Sequence, residues 1–347
     1  VNGMELHFTR TNGPADEAIE DLIAVAGGIH HGDMVREMIL AALKAGQESE
    51  DRADLKLMNS TLKEMRFTTK IFGPYKQVKK VAVFGSARTK PGEPVYEMAR
   101  LLGERLSEAG FMVITGAGPG IMQAVNEGAG PEHSFGVNIR LPFEQKANPV
   151  LEGNPRVINY KYFFTRKVAF LKESDAVALF PGGFGTLDEA METITLVQTG
   201  KRNPTPIVFL DEPGGTYWSR WMDFIERELL RQEYISPGDL RLFDLAASAD
   251  DAVEKISCFY RRYHSMRYVG DRLVIRLSVP VSPDQVADLK DHFPDILSPP
   301  CDFFFSPNAL PEEEDEPEIF HLPRLVLTFK RKNFGRLRQL IDHLNRA

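Results

Sequence analysis

Arg166 and Glu189 stand on either side of a short apolar run, 175–180, and a glycine-rich turn, PGGFGT at 181–186. The run reads as a buried strand. Beyond the turn, Leu187, Met191, Ile194 and Val197 recur at helical spacing. A strand therefore ends, a turn of Pro181, Gly182, Gly183, Phe184, Gly185 and Thr186 follows, and a helix begins. Glycines there let the backbone approach a ligand closely. The helix start points unpaired N–H groups and the positive end of its dipole at the turn, which suits a phosphate. Thr186 and Glu189 are also spaced as a T-x-x-E capping box, which would make the turn merely structural. A phosphate beside Glu189 needs a cation, and Arg166 is placed for it, with Lys167 next to it, in a segment, 160–172, that reads as the helix leading into the strand.

Two more glycine turns follow strands. Strand 81–84 leads to Gly85, Ser86 and Arg88; strand 111–115 leads to Gly116, Gly118 and Gly120, which open a helix carrying Ile121, Met122 and Val125. Further strands fall at 135–139 and 206–210. Strands alternating with helices predict an α/β fold with a doubly wound parallel sheet, Rossmann-like, in which ligands bind beyond the carboxyl ends of the strands. All three turns belong to that edge. GAGPG is not the dinucleotide fingerprint, because Ile121 takes the third glycine position, and no acidic residue is well placed for a ribose hydroxyl. One phosphate of a mononucleotide suits these turns better than a hydride-transfer cofactor.

PGGFGTLDE at 181–189, with the Arg166–Lys167 pair upstream, resembles the LOG family of nucleoside 5′-monophosphate phosphoribohydrolases, whose signature is PGGxGTxxE plus an upstream RK. The likeness covers about 80–265, and more loosely the segment from about 53. The LPxEQ…NP segment from Leu141 through Glu144 and Gln145 to Asn148 and Pro149, a long loop of the kind that forms lids, extends it. The resemblance implies hydrolysis of a purine nucleotide, AMP or a cytokinin riboside 5′-monophosphate, to free base and ribose 5-phosphate. It implies Arg166 and Glu189 as the catalytic pair, a dimer or larger homo-oligomer with sites near subunit contacts, and neither metal nor cofactor. The family is often labelled lysine decarboxylase, but Lys167 beside Arg166 offers no recognisable setting for a pyridoxal cofactor. The rival reading is a nucleotide or phosphorylated-cofactor carrier without turnover.

With a nucleoside monophosphate as ligand, the N–H groups of Gly183, Gly185 and Thr186 and the Thr186 hydroxyl would hold phosphate, and Ser86 would hold phosphate or sugar. Breaking the N-glycosidic bond passes through an oxocarbenium-like sugar that wants a carboxylate beside it. Glu189 is the candidate to orient the ribose, stabilise the cation and activate water. Glu192, one helical turn on, is a second carboxylate or a solvated face. Lys167 binds phosphate or caps structure, Asp188 favours the helix dipole, and Arg88 reaches phosphate or solvent. Glu127 faces the base or ends a helix in solvent. His30, His31 and His133 show no metal-ligand pattern.

At 347 residues, with ordinary hydrophobic content, the chain is long enough for more than one domain. A net charge of −7 argues against nucleic acid as a partner. Two cysteines, Cys258 and Cys301, form no framework and fit a cytoplasmic location. No run is long enough to span a membrane, and no signal-peptide pattern opens the sequence. Residues 1–78 read as helices without chemistry, with Leu55, Leu57, Met58, Leu62 and Met65 on one face. Residues 79–265 form the catalytic α/β domain, with Trp218 and Trp221 in its core beside Phe224 and Ile225. Residues 266–347 read as a small α+β domain, ACT-like or ferredoxin-like, in the order strand–helix–strand–strand–helix, a type that binds small effectors in other proteins. Its loop 311–317 is acidic and solvated.

Overall fold

Residues 81–83 have no exposed surface on either face, which is the mark of a central parallel strand. They belong to β1 (Lys80–Phe84) of a computed structural model that describes residues 13–141, 146–313 and 316–346. Pro142, Phe143, Glu144 and Gln145 of the expected lid, and Glu314 and Asp315 of the acidic loop, lie outside the described residues. The chain divides into two compact units, 1–66 and 67–347.

The first unit holds α1 (Pro14–Ala26), α2 (Gly32–Glu48) and most of α3 (Arg52–Phe72). Ile19 and Leu40 are buried, and Arg36 pairs with Asp16 at 2.5 Å. Leu57, Met58 and Leu62 are exposed on this chain.

The second unit continues from β1 through α4 (Pro94–Glu108), β2 (Met112–Thr115), α5 (Ile121–Ala129), β3 (Ser134–Ile139), β4 (Val157–Tyr160), α6 (Phe163–Glu173), β5 (Ala176–Leu179), α7 (Phe184–Gln198), β6 (Ile207–Leu210), α8 (Tyr217–Phe224), β7 (Asp244–Ala246) and α9 (Ala249–Phe259). The seven strands form one parallel sheet in the order β4-β3-β2-β1-β5-β6-β7. The chain winds outward from β1 to β4, then returns to β1's other side at β5. That reversal opens a crevice between the ends of β1 and β5, the switch point at which such sheets take ligands. The five strands expected from the sequence are all present. β4 and β7 are additions at the two edges.

One face of the sheet packs Val81, Val83, Ala176 and Ala178 against α4, α5 and α9; the other packs Ala82, Val177 and Leu179 against α6 and α7. Phe72 stacks on Phe135 at 4.3 Å between ring centroids, so the end of α3 is built into this second core. Trp218 is buried against Phe209, and Trp221 joins the cluster through Phe243. Phe224, expected in that core, is exposed.

A second sheet follows: β8 (Tyr263–Val269), β9 (Arg272–Leu277), α10 (Pro283–His292), β10 (Phe303–Ser306), β11 (Arg324–Leu327) and α11 (Phe334–Arg346). Its order, β10-β11-β9-β8, is antiparallel throughout. Strand–helix–strand–strand–helix is thus preceded by one more strand, β8, which pairs beside β9. α11 fastens the two sheets together. Arg338 donates to Asp244, the first residue of β7, at 2.8 Å, and Leu337, Leu340 and Ile341 are fully buried.

Candidate active site

The three turns meet over the switch point and hold one another by backbone contact. Ser86 N–H donates to Pro181 O, and Ile121 N–H donates to Ser86 O, both at 3.0 Å. A Cβ on Gly85 would strike Ile121 at 2.7 Å, one on Gly120 would strike Ser86 O at 2.3 Å, and one on Gly182 would strike the Thr186 hydroxyl at 2.2 Å. Gly116 is pressed by the Arg166 guanidinium and Gly118 by Met122. These five glycines therefore permit the turns to pack on one another. Gly183 and Gly185 have open space where a side chain would be, and both face the cleft.

α7 begins at Phe184 with Gly183 as its N-cap and no side-chain cap. The capping box does not form, because Thr186 lies inside the first turn and is buried. The Thr186 N–H donates to Gly183 O at 3.1 Å. That corrects its expected place among the phosphate donors and leaves the N–H groups ahead of it, which no helical turn satisfies.

The cleft is about 650 Å³ and is lined by Gly85, Ser86, Arg88, Gly116, Met122, Arg166, Gly183, Gly185, Thr186, Asp188 and Glu189, with Phe163 and Phe184 at its lip. Phe184 is 93 % exposed, unusual for a large aromatic. Arg166, on α6, is half-buried beneath Phe170; its Nε donates to Val137 O at 2.8 Å. Burial pulls its pKa below the usual arginine value, and Glu189 and Tyr160 push it back up. Glu189, on the first turns of α7, is half-buried too. Burial drives its pKa up to about 7, against the opposing pull of Lys167 and Arg166. Its Oε2 is buried without a hydrogen-bond partner. A carboxylate oxygen that is desolvated yet unsatisfied is costly and is kept where it can serve a ligand.

Lys167 and Glu192 do not join this cleft. Lys167 Nζ donates to Asp188 at 2.6 Å and to Glu192 at 3.2 Å, clamping α6 to α7. All three line an adjoining groove of about 900 Å³ that shares only Phe163 and Asp188 with the cleft. Glu192, although one turn from Glu189, is thereby committed to Lys167. Pro181, Gly118, Gly120 and Gly182 shape the turns from behind the lining. Arg88 is exposed at the mouth, its N–H on Ser86 Oγ at 3.1 Å. Glu127 accepts from Tyr96 and Gln123 at 2.9 and 2.8 Å and is spent on joining α5 to α4. Among the described residues, His30, His31 and His133 enter no metal-ligating cluster.

The sequence reading missed two supports. Buried Asn148 donates to Gly118 O and to Asn126 Oδ1 at 3.1 and 3.0 Å and, through its own N–H, to Ala117 O at 2.7 Å. It pins the 116–120 turn, where Ala117 has φ of 58°. Tyr217 Oη donates to Gly182 O at 2.6 Å and braces the 181–186 turn from α8. The Asn-Pro pair was visible as a motif; nothing in the spacing of Tyr217 marked it.

The chain is similar to several known proteins. A family model described as "Possible lysine decarboxylase" matches residues 121–256, which include the Arg166–Lys167 pair and the 181–189 motif. A probable cytokinin riboside 5′-monophosphate phosphoribohydrolase of Oryza sativa subsp. japonica is 32 % identical over 187 residues, 51 % of this chain and 71 % of the relative. The chain belongs to the LOG family. A cytokinin riboside 5′-monophosphate phosphoribohydrolase of Arabidopsis thaliana, from the same LOG family, is 26 % identical over 191 residues, 54 % of this chain and 87 % of its own. Among solved structures, the molybdenum cofactor carrier protein of Chlamydomonas reinhardtii overlaps 52 % of this chain and 96 % of its own at 19 % identity, with a TM-score of 0.37. The LOG matches cover about half of this chain.

Proposed function

We propose that this LOG-family chain is a nucleoside 5′-monophosphate phosphoribohydrolase that converts a purine nucleotide, AMP or a cytokinin riboside 5′-monophosphate, and water to free base and ribose 5-phosphate. The observation that carries the proposal is the unsatisfied Oε2 of Glu189, half-buried in a cleft of about 650 Å³ that Arg166 also lines. A passive phosphate site has no use for a desolvated carboxylate, whose charge opposes the ligand's. A glycosidic cleavage has two uses for it.

The 5′-phosphate sits on the open N–H groups at the start of α7, with Ser86 and Arg88 at its rim. Glu189 accepts from a ribose hydroxyl and from the attacking water. The water oxygen bonds to the anomeric carbon as the bond to the base nitrogen breaks. The electron pair of that bond leaves with the base; the water's proton passes to Glu189, the base takes a proton from solvent, and Glu189 then releases its own to solvent. A pKa near 7 suits a group that must hold and release a proton at neutral pH. Arg166, fixed by Val137, offsets the negative charge of phosphate and Glu189 together. A homodimer is part of the proposal, supported by Phe163, Phe164 and Val168, exposed beside the cleft on α6.

The test is incubation of the purified chain with AMP, GMP, CMP, UMP and isopentenyladenosine monophosphate, with chromatography of base and ribose 5-phosphate. Base release that disappears in both Glu189→Gln and Arg166→Ala supports the hydrolase. Tight nucleotide binding with no release from any substrate overturns it in favour of a carrier.

A further inference from the structure

Far along the chain from the cleft residues, three metal-ligating side chains meet where α10 and α11 lie side by side. Asp288 and His292 are four residues apart on α10 and share a face. His343 comes from the last turns of α11. Nδ1 of His292 is 3.0 Å from one carboxylate oxygen of Asp288 and 2.9 Å from its backbone carbonyl oxygen, and Nε2 of His343 is 2.7 Å from the other carboxylate oxygen. One ligand atom from each residue lies within 4.8 Å of the other two, and the two ring centroids are 5.2 Å apart.

The rings are held in place. Phe293, buried, packs edge-on against His343 at 5.8 Å. Arg336 lies over the Phe293 ring at 4.3 Å, donates to the His292 carbonyl at 2.5 Å, and is itself fixed by both oxygens of Asp295. The charge of Arg336 is thus offset by Asp295, and the two imidazoles converge on one carboxylate.

We propose that Asp288, His292 and His343 form a binding site for a transition-metal dication, Zn²⁺ foremost. Two imidazole nitrogens and one carboxylate oxygen are a donor set that favours zinc over the all-oxygen preference of Mg²⁺ and Ca²⁺. Zinc bonds of about 2.0–2.2 Å fit a triangle of this size after small side-chain rotations, with water in the fourth place of an open site. The ion replaces the two His–Asp contacts by three bonds to one centre. It thereby ties α10 to α11, the helix that fastens the second sheet to the first. The site acts on stability and is independent of the reaction proposed for the cleft.

The experiment is calorimetric titration of the full chain, stripped with a chelator and dialysed, with ZnCl₂ and separately with MgCl₂. One equivalent of Zn²⁺ should bind with a Kd below about 10 μM, with no Mg²⁺ response. His292→Ala and His343→Ala should each weaken zinc at least about tenfold, and the double variant should lose that equivalent while keeping its circular dichroism. Zn²⁺ should raise the Tm of the wild type and leave that of the double variant unchanged. Co²⁺ should give visible absorption bands with the wild type only. Failure of the wild type to bind one equivalent, or full retention of it by the double variant, overturns the site.

Discussion

Glu189 concentrates the consequences at the scale of one residue. Its folded-state pKa lies near 7, above the ordinary 4.5, because burial disfavours the charge. The folded protein therefore holds a proton that the unfolded chain has released, and stability falls as pH rises from about 4.5 to 7 and stays low above. Glu189→Gln should abolish base release by a factor of about 10³. It should also raise stability by about 1–3 kcal/mol above pH 7, with little effect at pH 4. Denaturant melts across that range check it. For the proposed hydrolysis, kcat/KM should climb through pH 7 as the carboxylate forms, with the climb absent from the residual rate of the variant. Arg166→Lys should not restore Arg166→Ala, since only the planar fork can reach Val137 O and the cleft together. That Arg166 and Glu189 line one cleft was legible in the sequence, because they flank the same strand and glycine-rich turn. That Glu192 pairs with Lys167 was not, because two residues on one helical face still differ in which neighbour faces them.

At the scale of elements, the turns are set by parts outside the motifs. Tyr217→Phe removes the donor to Gly182 O. It should raise KM for the phosphorylated substrate several-fold with Tm lowered by only a few degrees, measured by initial rates and thermal melts. Asn148→Ala removes the donor to the Gly118 carbonyl and one of the two donors to Asn126 Oδ1, leaving that oxygen only the Thr115 hydroxyl. A loss of about 1–3 kcal/mol in urea unfolding is expected. The five central strands could be read from the sequence because each is a short, mostly apolar run, and Gly85, Gly116 and Pro181 end three of them. β4 and β7 could not: they are short edge strands of four and three residues, half-exposed in places, and their pattern does not rise above that of a loop. β8 mixes Tyr263, His264, Arg267 and Tyr268, so its polarity hid it. The T-x-x-E pattern misled for a related reason. A cap depends on where the helix begins, and Gly183 begins it three residues before Thr186.

For the whole molecule, α11 is the joint. Arg338 is buried, contacts Asp244 and Asp342 at 2.8 and 2.9 Å, and lies over Phe259. Arg338→Ala would leave Asp342, already pushed to higher pKa by burial, without its counter-ion. A loss of about 3–5 kcal/mol is expected, smaller in acid where Asp342 is neutral, and urea unfolding at two pH values reads it. The sequence placed this helix but gave no sign of its partners, because a buried arginine reads as a surface residue until its carboxylates are located. No helix among the described residues is long and apolar enough to cross a membrane.

Phe334 at the head of α11 fills the space at Gly200, just past the end of α7, whose other end carries Glu189. On the ribosome this arrangement sets an order. β7 is synthesised roughly a hundred residues before the end of α11, a delay of about 5–20 s at usual elongation rates. During that interval the parallel sheet is complete, while the seam awaiting Leu337, Leu340 and Ile341 is open to water. Until α11 docks, the α7 helix that carries Glu189 lacks the contact at its far end that Phe334 supplies.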